Sequence, residues 1–300
     1  MTRLPQICEV APRDGFQSIS EPLATDTKIA IIRDLVAAGC PRVEIGSFVS
    51  PKAVAQMADM AEIAAAVHDL PARLCALIPN ERGAENAVAA GIKEVCYVFS
   101  ISEAHNLNNV RQSVDQSIEG LARIVANLPK DVRLRVDLAT AFDCPFDGPV
   151  PLDRVLDAAA RAATLAPEAE IALCDTTGRA NAFSVRERFR AAMALPETAR
   201  NGWAFHGHDT FGQGVANALA AWDVGVDVFD TAAAGLGGCP FAPGATGNTA
   251  TEDLVFAFNE GGLDTGIDLM ELLAVADRIA ALPGGVVGSH LRNVPRHRAS

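Results

Sequence analysis

Short apolar runs rich in Val, Ile and Leu alternate along this 300-residue chain with longer segments in which apolar residues recur at spacings of three and four. The first pattern predicts strands buried on both faces, the second amphipathic helices. Eight runs fit strands: ICEVAP, RVEIGSF, RLCALIP, EVCYVFS, RLRVDLATAF, EIALCDTT, WAFHGHDT and VDVFDTAAAG. Helical spacing marks DTKIAIIRDLVAAG, VAQMADMAEIAAAVHDL, ERGAENAVAAG, SVDQSIEGLARIVANL, PLDRVLDAAARAATLA, SVRERFRAAMAL and QGVANALAAWDVGV between them. Several begin at Ser, Asp or Pro and end at Gly, the residues that suit helix ends.

Eight strand–helix units of about 30 to 40 residues, with no Gly/Ser linker between them, predict an α/β fold, a closed parallel (β/α)8 barrel. A doubly wound open sheet is the competing arrangement. The barrel is expected over about 5–265, followed by extra C-terminal helices over about 266–300 that include DLMELLAVADRIAAL, the whole of 1–300 being one domain.

Composition narrows the class. A 49% hydrophobic content can fill a large core. No run approaches the ~18 to 20 uncharged apolar residues of a membrane span. The opening MTRLPQICEV enters a strand too early for a secretory or transit segment, so a cytoplasmic location is expected. Seven cysteines scattered singly fit a reducing compartment. A net charge of -12 argues against nucleic acid or an anionic membrane as partner, so any anionic substrate needs a local basic site.

In such a barrel the chemistry belongs at the C-terminal ends of the strands. The polar residues fall there. APRDGFQ brings Arg13, Asp14 and Gln17; the second strand carries Glu44 and ends near Ser47 and Lys52. The fifth holds Arg135 and Asp137 and leads into FDCPFDG; the sixth ends at Asp175. In the seventh, His206 and His208 alternate, so that in a strand both rings point to one side, as two ligands of one metal ion must. Asp14 adds a hard oxygen and Asn248 an amide oxygen, a set that suits Mg, Mn or Zn with open coordination positions. The glycine-dense AGLGGCPFAPGATGN around Cys239 reads as a mobile lid, with no Lys-Ser/Thr to make it a phosphate loop.

The combination EVAPRDGFQ, VEIGSFVSPKAVAQMAD, CPFDG, HGHDTFGQGVANAL and AGLGGCPFAPGATGNTATEDL, in that order, resembles the 3-hydroxy-3-methylglutaryl-CoA lyase family over nearly the whole chain. The resemblance implies a metal-dependent lyase on a TIM barrel. It assigns Asp14, His206, His208 and Asn248 to a divalent cation, Mg or Mn before Zn. It makes Arg13 the catalytic arginine and Cys239 the catalytic cysteine of the lid, with Glu44 and Asp175 as supporting acids. The implied reaction is retro-aldol cleavage of an acyl-CoA to acetyl-CoA and a keto acid. Arg13 would hold charge on the thioester oxygen, His206 relay the hydroxyl proton and Cys239 protonate the enolate carbon. Gln17, Ser47, Arg135, Asp137 and Asp175 are the expected substrate contacts.

Departures from the family concern the substrate. Asp137 stands where these lyases usually carry tyrosine, CDTTGRA replaces the commoner GDT.G.G, and His105 is introduced after the fourth strand, as a solvated loop residue or a substrate contact. A citramalyl-type acyl-CoA is therefore an alternative, as is a Claisen-type synthase of the same superfamily. A catalytically silent acyl-CoA-binding barrel would be expected to lose some of these residues. Lys52, Arg292, Arg296 and Arg298 are the cations available to CoA, unless the tail is a disordered end. The apolar C-terminal helices could pair in a homodimer.

Overall fold

The computed structural model of the chain describes residues 3–238 and 247–298. Within them the strands are β1 (Gln6–Glu9), β2 (Arg42–Ser47), β3 (Arg73–Ile78), β4 (Glu94–Ser100), β5 (Arg133–Ala139), β6 (Asp143–Cys144), β7 (Gly148–Pro149), β8 (Glu170–Asp175), β9 (Gly202–Gly207) and β10 (Val228–Thr231). β6 and β7 form a small antiparallel pair. The other eight, all parallel, close into a barrel in the order β1-β10-β9-β8-β5-β4-β3-β2, as the apolar runs predict, and the open-sheet alternative is excluded.

The helices are α1 (Thr25–Ala37), α2 (Met60–Val67), α3 (Glu81–Ala89), α4 (Glu103–Val110), α5 (Val114–Asn127), α6 (Leu152–Leu165), α7 (Ala182–Met193), α8 (Gly214–Asp223), α9 (Thr251–Glu260) and α10 (Leu269–Ala280). Burial by this outer layer explains the continuous apolar strands: all six residues of β2 are buried, as are five of six in β8. The polar exceptions face inward. At the N-terminal end of the barrel Arg42 pairs with Glu170 (2.7 Å) and Arg73 with Glu94 (2.6 Å). Above them the Cys8, Cys75 and Cys96 thiols fill the interior, each with its pKa raised.

Several boundaries differ from the sequence reading. β5 stops at Ala139, because Thr140 turns to φ 56°, so RLRVDLATAF is only partly strand. β10 stops at Thr231, three residues before the left-handed Ala234. α4 and α9 were not anticipated: EAHNLNNV has too few apolar residues to show a face, and TEDLVFAFNE lies in the continuation of the glycine-rich loop. Ser102 caps α4 by accepting from the His105 amide (3.2 Å).

The extension holds a single α-helix among the described residues. α10 wedges between α9 and α1, anchored by the Asp268 amide donating to the Ala38 carbonyl (2.8 Å) and capped by the Asp268 carboxylate. The tail beyond it is not the free end considered above, since Arg292 Nε (3.1 Å) and Arg296 Nη2 (2.5 Å) both bind Asp277. Those arginines are spent on the fold. No described helix is long and apolar enough to cross a membrane.

Candidate active site

Immediately after β1 the segment Ala11–Gly15 winds as a wide π-type turn in which the amides of Asp14 (2.8 Å) and Gly15 (3.3 Å) both reach the Val10 carbonyl. Pro12 sits at its start, where a missing N–H costs nothing. Such single wide turns aim side chains that a regular turn would misplace. Here they carry Arg13 and Asp14 into the barrel mouth. Arg13 Nε donates to Glu44 Oε2 (2.6 Å) and its Nη1 binds Asp14. Burial opposes the Arg13 charge, but Glu44 and Asp14 outweigh it and raise its pKa. Glu44 Oε1 is buried without a partner.

His206 lies on β9 and His208 just past it, with the period-two spacing the sequence implied. Their Nε2 atoms are 3.1 Å apart, and His208 Nε2 is 3.9 Å from Asp14 Oδ2. One ligand atom from each of Asp14, His206 and His208 lies within 4.8 Å of the other two. His208 forms an antiparallel bridge with Asn248, which brings in the fourth expected ligand. Asn248 Nδ2 donates to Asp14 Oδ2 (2.7 Å) and to the Leu236 carbonyl (3.0 Å), leaving Oδ1 buried and unpartnered.

This donor set fits a divalent cation on its chemistry. Burial pushes the Asp14 carboxyl up, but Arg13 and both histidines overcome that and hold it down to about 2. Burial, with His206 beside it, lowers His208 to about 4, so it is neutral and available as a ligand near pH 7. Four carboxylates at the mouth (Asp14, Glu44, Asp137, Asp230) face two guanidiniums (Arg13, Arg135).

Asp230 was missed by the sequence reading. Level with His206 in the β9/β10 register, it accepts from His206 Nδ1 (3.1 Å), and from Arg135 Nη1 (2.8 Å) and Nη2 (2.5 Å). Burial works against its charge, yet Arg135 and His206 hold its pKa well below the carboxylate range. Burial alone would lower His206, but the bond to Asp230 raises it. A carboxylate behind a ligating imidazole fixes its tautomer and ring plane. The available signal was an acid at an inward position of an otherwise apolar strand, VDVFDT. Glu9 and Glu252, both fully buried, were missed in the same way.

Arg135 is corrected as a substrate contact. It is 1% exposed, and Nε (2.6 Å, to Asp137), Nη1 and Nη2 are all engaged, so it serves the interior network. Asp137, inward on β5, lies close enough to influence both Arg13 and Glu44. Ser47 ends β2 with its hydroxyl buried and unpartnered. Asp175 ends β8; its Oδ2 accepts from the Ala180 amide (3.0 Å), Oδ1 has no partner, and burial raises its pKa to about 7. Gln17 is half-buried beyond the wide turn, and Lys52 is exposed. His105 is neither a solvated loop residue nor free: it is 3% exposed within α4, bonded to Ser100, and burial lowers it to about 4. Cys239 lies outside the described residues.

The HMGL-like family profile matches residues 4–279. An (R)-citramalyl-CoA lyase of Chloroflexus aurantiacus is 42% identical over 291 residues, 93% of this chain and 90% of that one. A 3-hydroxy-3-isohexenylglutaryl-CoA/hydroxy-methylglutaryl-CoA lyase of Pseudomonas aeruginosa is 39% identical over 286 residues, 95% and 94% of the two chains. The solved HMG-CoA lyase of Acinetobacter baumannii, in complex with coenzyme A and 3-methylmalate, has a TM-score of 0.89 at 39% identity, covering 97% of this chain and 96% of that one. With its barrel matched end to end by these lyases, the chain belongs to the HMGL-like family.

Proposed function

We propose that this protein is a divalent-metal-dependent carbon–carbon lyase that cleaves a 3-hydroxy-3-methylglutaryl-CoA-like thioester by a retro-aldol reaction. The products are acetyl-CoA and a keto acid, acetoacetate when the substrate is the 3-hydroxy-3-methylglutaryl thioester. The observation that carries this reading is the convergence of Asp14, His206 and His208 within 4.8 Å beside a buried arginine, in a family whose relatives are acyl-CoA lyases.

Asp14, His206, His208 and Asn248 would hold the cation; the two oxygens suit Mg or Mn, and the imidazoles also admit Zn. When bound it acts as a Lewis acid on the substrate oxygens and makes the 3-hydroxyl more acidic. The residues do the rest. A base takes the hydroxyl proton, the bond between C2 and C3 breaks, and its electron pair passes into the enolate of the thioester, whose C2 then takes a proton. Arg13, kept charged by Glu44 and Asp14, stabilises the enolate oxygen. His206 is poorly placed as the base, because Asp230 occupies Nδ1 and Nε2 points into the ligand cluster. Asp175 keeps the place of a supporting acid, its Oδ1 buried and without a partner. Cys239 keeps the role of proton donor to C2.

A shorter malyl-type substrate is the second reading, supported by the 42% identity to a citramalyl-CoA lyase and by the acidic Asp137 near Arg13. Purified protein with Mg or Mn, offered 3-hydroxy-3-methylglutaryl-CoA and citramalyl-CoA, separates them by mass spectrometry of acetyl-CoA and the keto acid. Release abolished by chelation and in His208→Ala is expected. No metal-dependent release from either thioester would sink the lyase reading.

A further inference from the structure

We propose that Glu9 is a positioning residue that sets the amide orientation of Asn248 and ties it to the Arg13–Asp14 turn; the inference rests on the metal site proposed above. Glu9 ends β1 and is 0% exposed. Its Oε1 accepts from the amides of Ala11 (2.8 Å) and Ala233 (3.0 Å), and its Oε2 from Ala233 (3.1 Å) and the Thr251 hydroxyl (2.6 Å). One carboxylate thus gathers the wide turn after β1, the turn after β10 and the first residue of α9. An apolar side chain would fill the same volume without the cost of burying a charge. What the carboxylate adds is direction.

The turn it holds needs holding. Ala234 has φ 64°, a left-handed conformation that an alanine adopts only under strain. Its amide is taken by both oxygens of Glu252, at 3.1 Å each, so two consecutive N–H groups are fixed by two buried carboxylates. The result places the Leu236 carbonyl where Asn248 Nδ2 donates to it, while the other donation from Nδ2 goes to Asp14 Oδ2. With both acceptors fixed, rotating the amide by 180° would put Oδ1 against two oxygens. Oδ1 is therefore the atom left for the cation. Because Glu9 also binds Ala11, at the start of the turn that bears Asp14, it aligns two oxygen ligands 234 positions apart in sequence.

The test is Mn2+ binding, read from the EPR signal of the free ion, for wild type, Glu9→Leu, Glu9→Gln, Asn248→Ala and the Glu9→Leu/Asn248→Ala double variant. Leucine removes every acceptor. Glutamine keeps one oxygen for Ala11 and Ala233, and the Thr251 hydroxyl can turn to accept from the new amide. Glu9→Leu is expected to weaken Mn2+ binding by about 10- to 100-fold, the range for groups that orient metal ligands, and Glu9→Gln by under about 3-fold. In the Asn248→Ala background the leucine substitution should cost clearly less, because only its hold on the turn that bears Asp14 is left to lose. Equal losses in both backgrounds, or a folded Glu9→Leu that binds Mn2+ as wild type does, would overturn the proposal. If Glu9→Leu does not fold, Glu252→Leu, which frees the Ala234 amide, is read in the same cycle with the same two outcomes. Failure of the wild type to bind Mn2+ would instead bring down the metal-site reading, and this inference with it.

Discussion

Replacing Asp230 by asparagine separates two jobs done by one carboxylate. Asp230 accepts two bonds from Arg135 and one from His206, with the carboxylate 3% and the arginine 1% exposed. Asparagine has one acceptor oxygen and turns an N–H toward a guanidinium that can only donate. Breaking a buried pair from one side costs about 3 to 5 kcal/mol. Asp137 still pairs with Arg135, so the lower end applies, a fall in Tm on the order of 5 to 10 °C. His206 loses its acceptor as well, which should weaken Mn2+ binding about 10- to 100-fold. Arg135→Met breaks the same ion pair but leaves the bond from His206 to Asp230 in place. Calorimetry with Mn2+ titration should then show both variants destabilised and only Asp230→Asn impaired in metal binding. Equal metal affinities in the two variants would refute the assignment of Asp230 as the group that orients His206.

Two further outcomes follow from buried geometry. Gly237 has φ 131°, and a Cβ there would lie 2.5 Å from Asn248 Nδ2, so Gly237→Ala should weaken Mn2+ binding about tenfold or more. Gly212→Ala (φ 68°, with nothing within 4 Å) should leave it unchanged, and equal affinities in the two variants would count against the close approach. The carboxyls of Glu9 and Glu252 are each raised by burial from 4.5 to about 7, so the folded protein binds protons more tightly there than the unfolded chain. Stability from these groups is complete below about pH 4.5 and is lost as pH rises through about 7, by roughly 3 kcal/mol for each at most. His105 and His208, lowered to about 4, gain stability over part of the same range, so the readout is the difference between proteins. In urea unfolding of the metal-free forms at pH 5 and pH 8, Glu9→Gln should lose less stability, or gain more, than wild type, and an identical pH dependence in the two would contradict the buried-acid assignment.

The barrel was legible because strands covered on both faces carry short apolar runs without a solvent-facing alternation, as RVEIGS and EIALCD do apart from a few polar positions. HGH and APRDG were legible because alternation and a strand-end position determine where those side chains go. Asp230, Glu9 and Glu252 were not, since what makes each functional is a partner far along the chain: Arg135 lies 95 positions from Asp230, and Ala233 lies 224 from Glu9. Arg135 was misread for the same reason. An arginine on an inner strand looks like a ligand for an anionic substrate until its two aspartates are seen beside it. His105 lost its solvated reading when EAHNLNNV proved helical, which folds its ring onto Ser100.

The pairing of β1 with β10 has a consequence in time. Thr231, the register partner of Glu9, is made 222 positions after it. At 5 to 20 residues per second the ribosome needs on the order of 10 to 40 s to supply the strand that closes the ring. Arg13 and Asp14 wait through that interval for His206, His208 and Asn248. The Ala234 carbonyl finds the Gly288 amide (3.1 Å) later still, after α10 has been made. A nascent chain can thus hold most of a barrel and still present no complete metal site, which assembles only once Asn248 has been made.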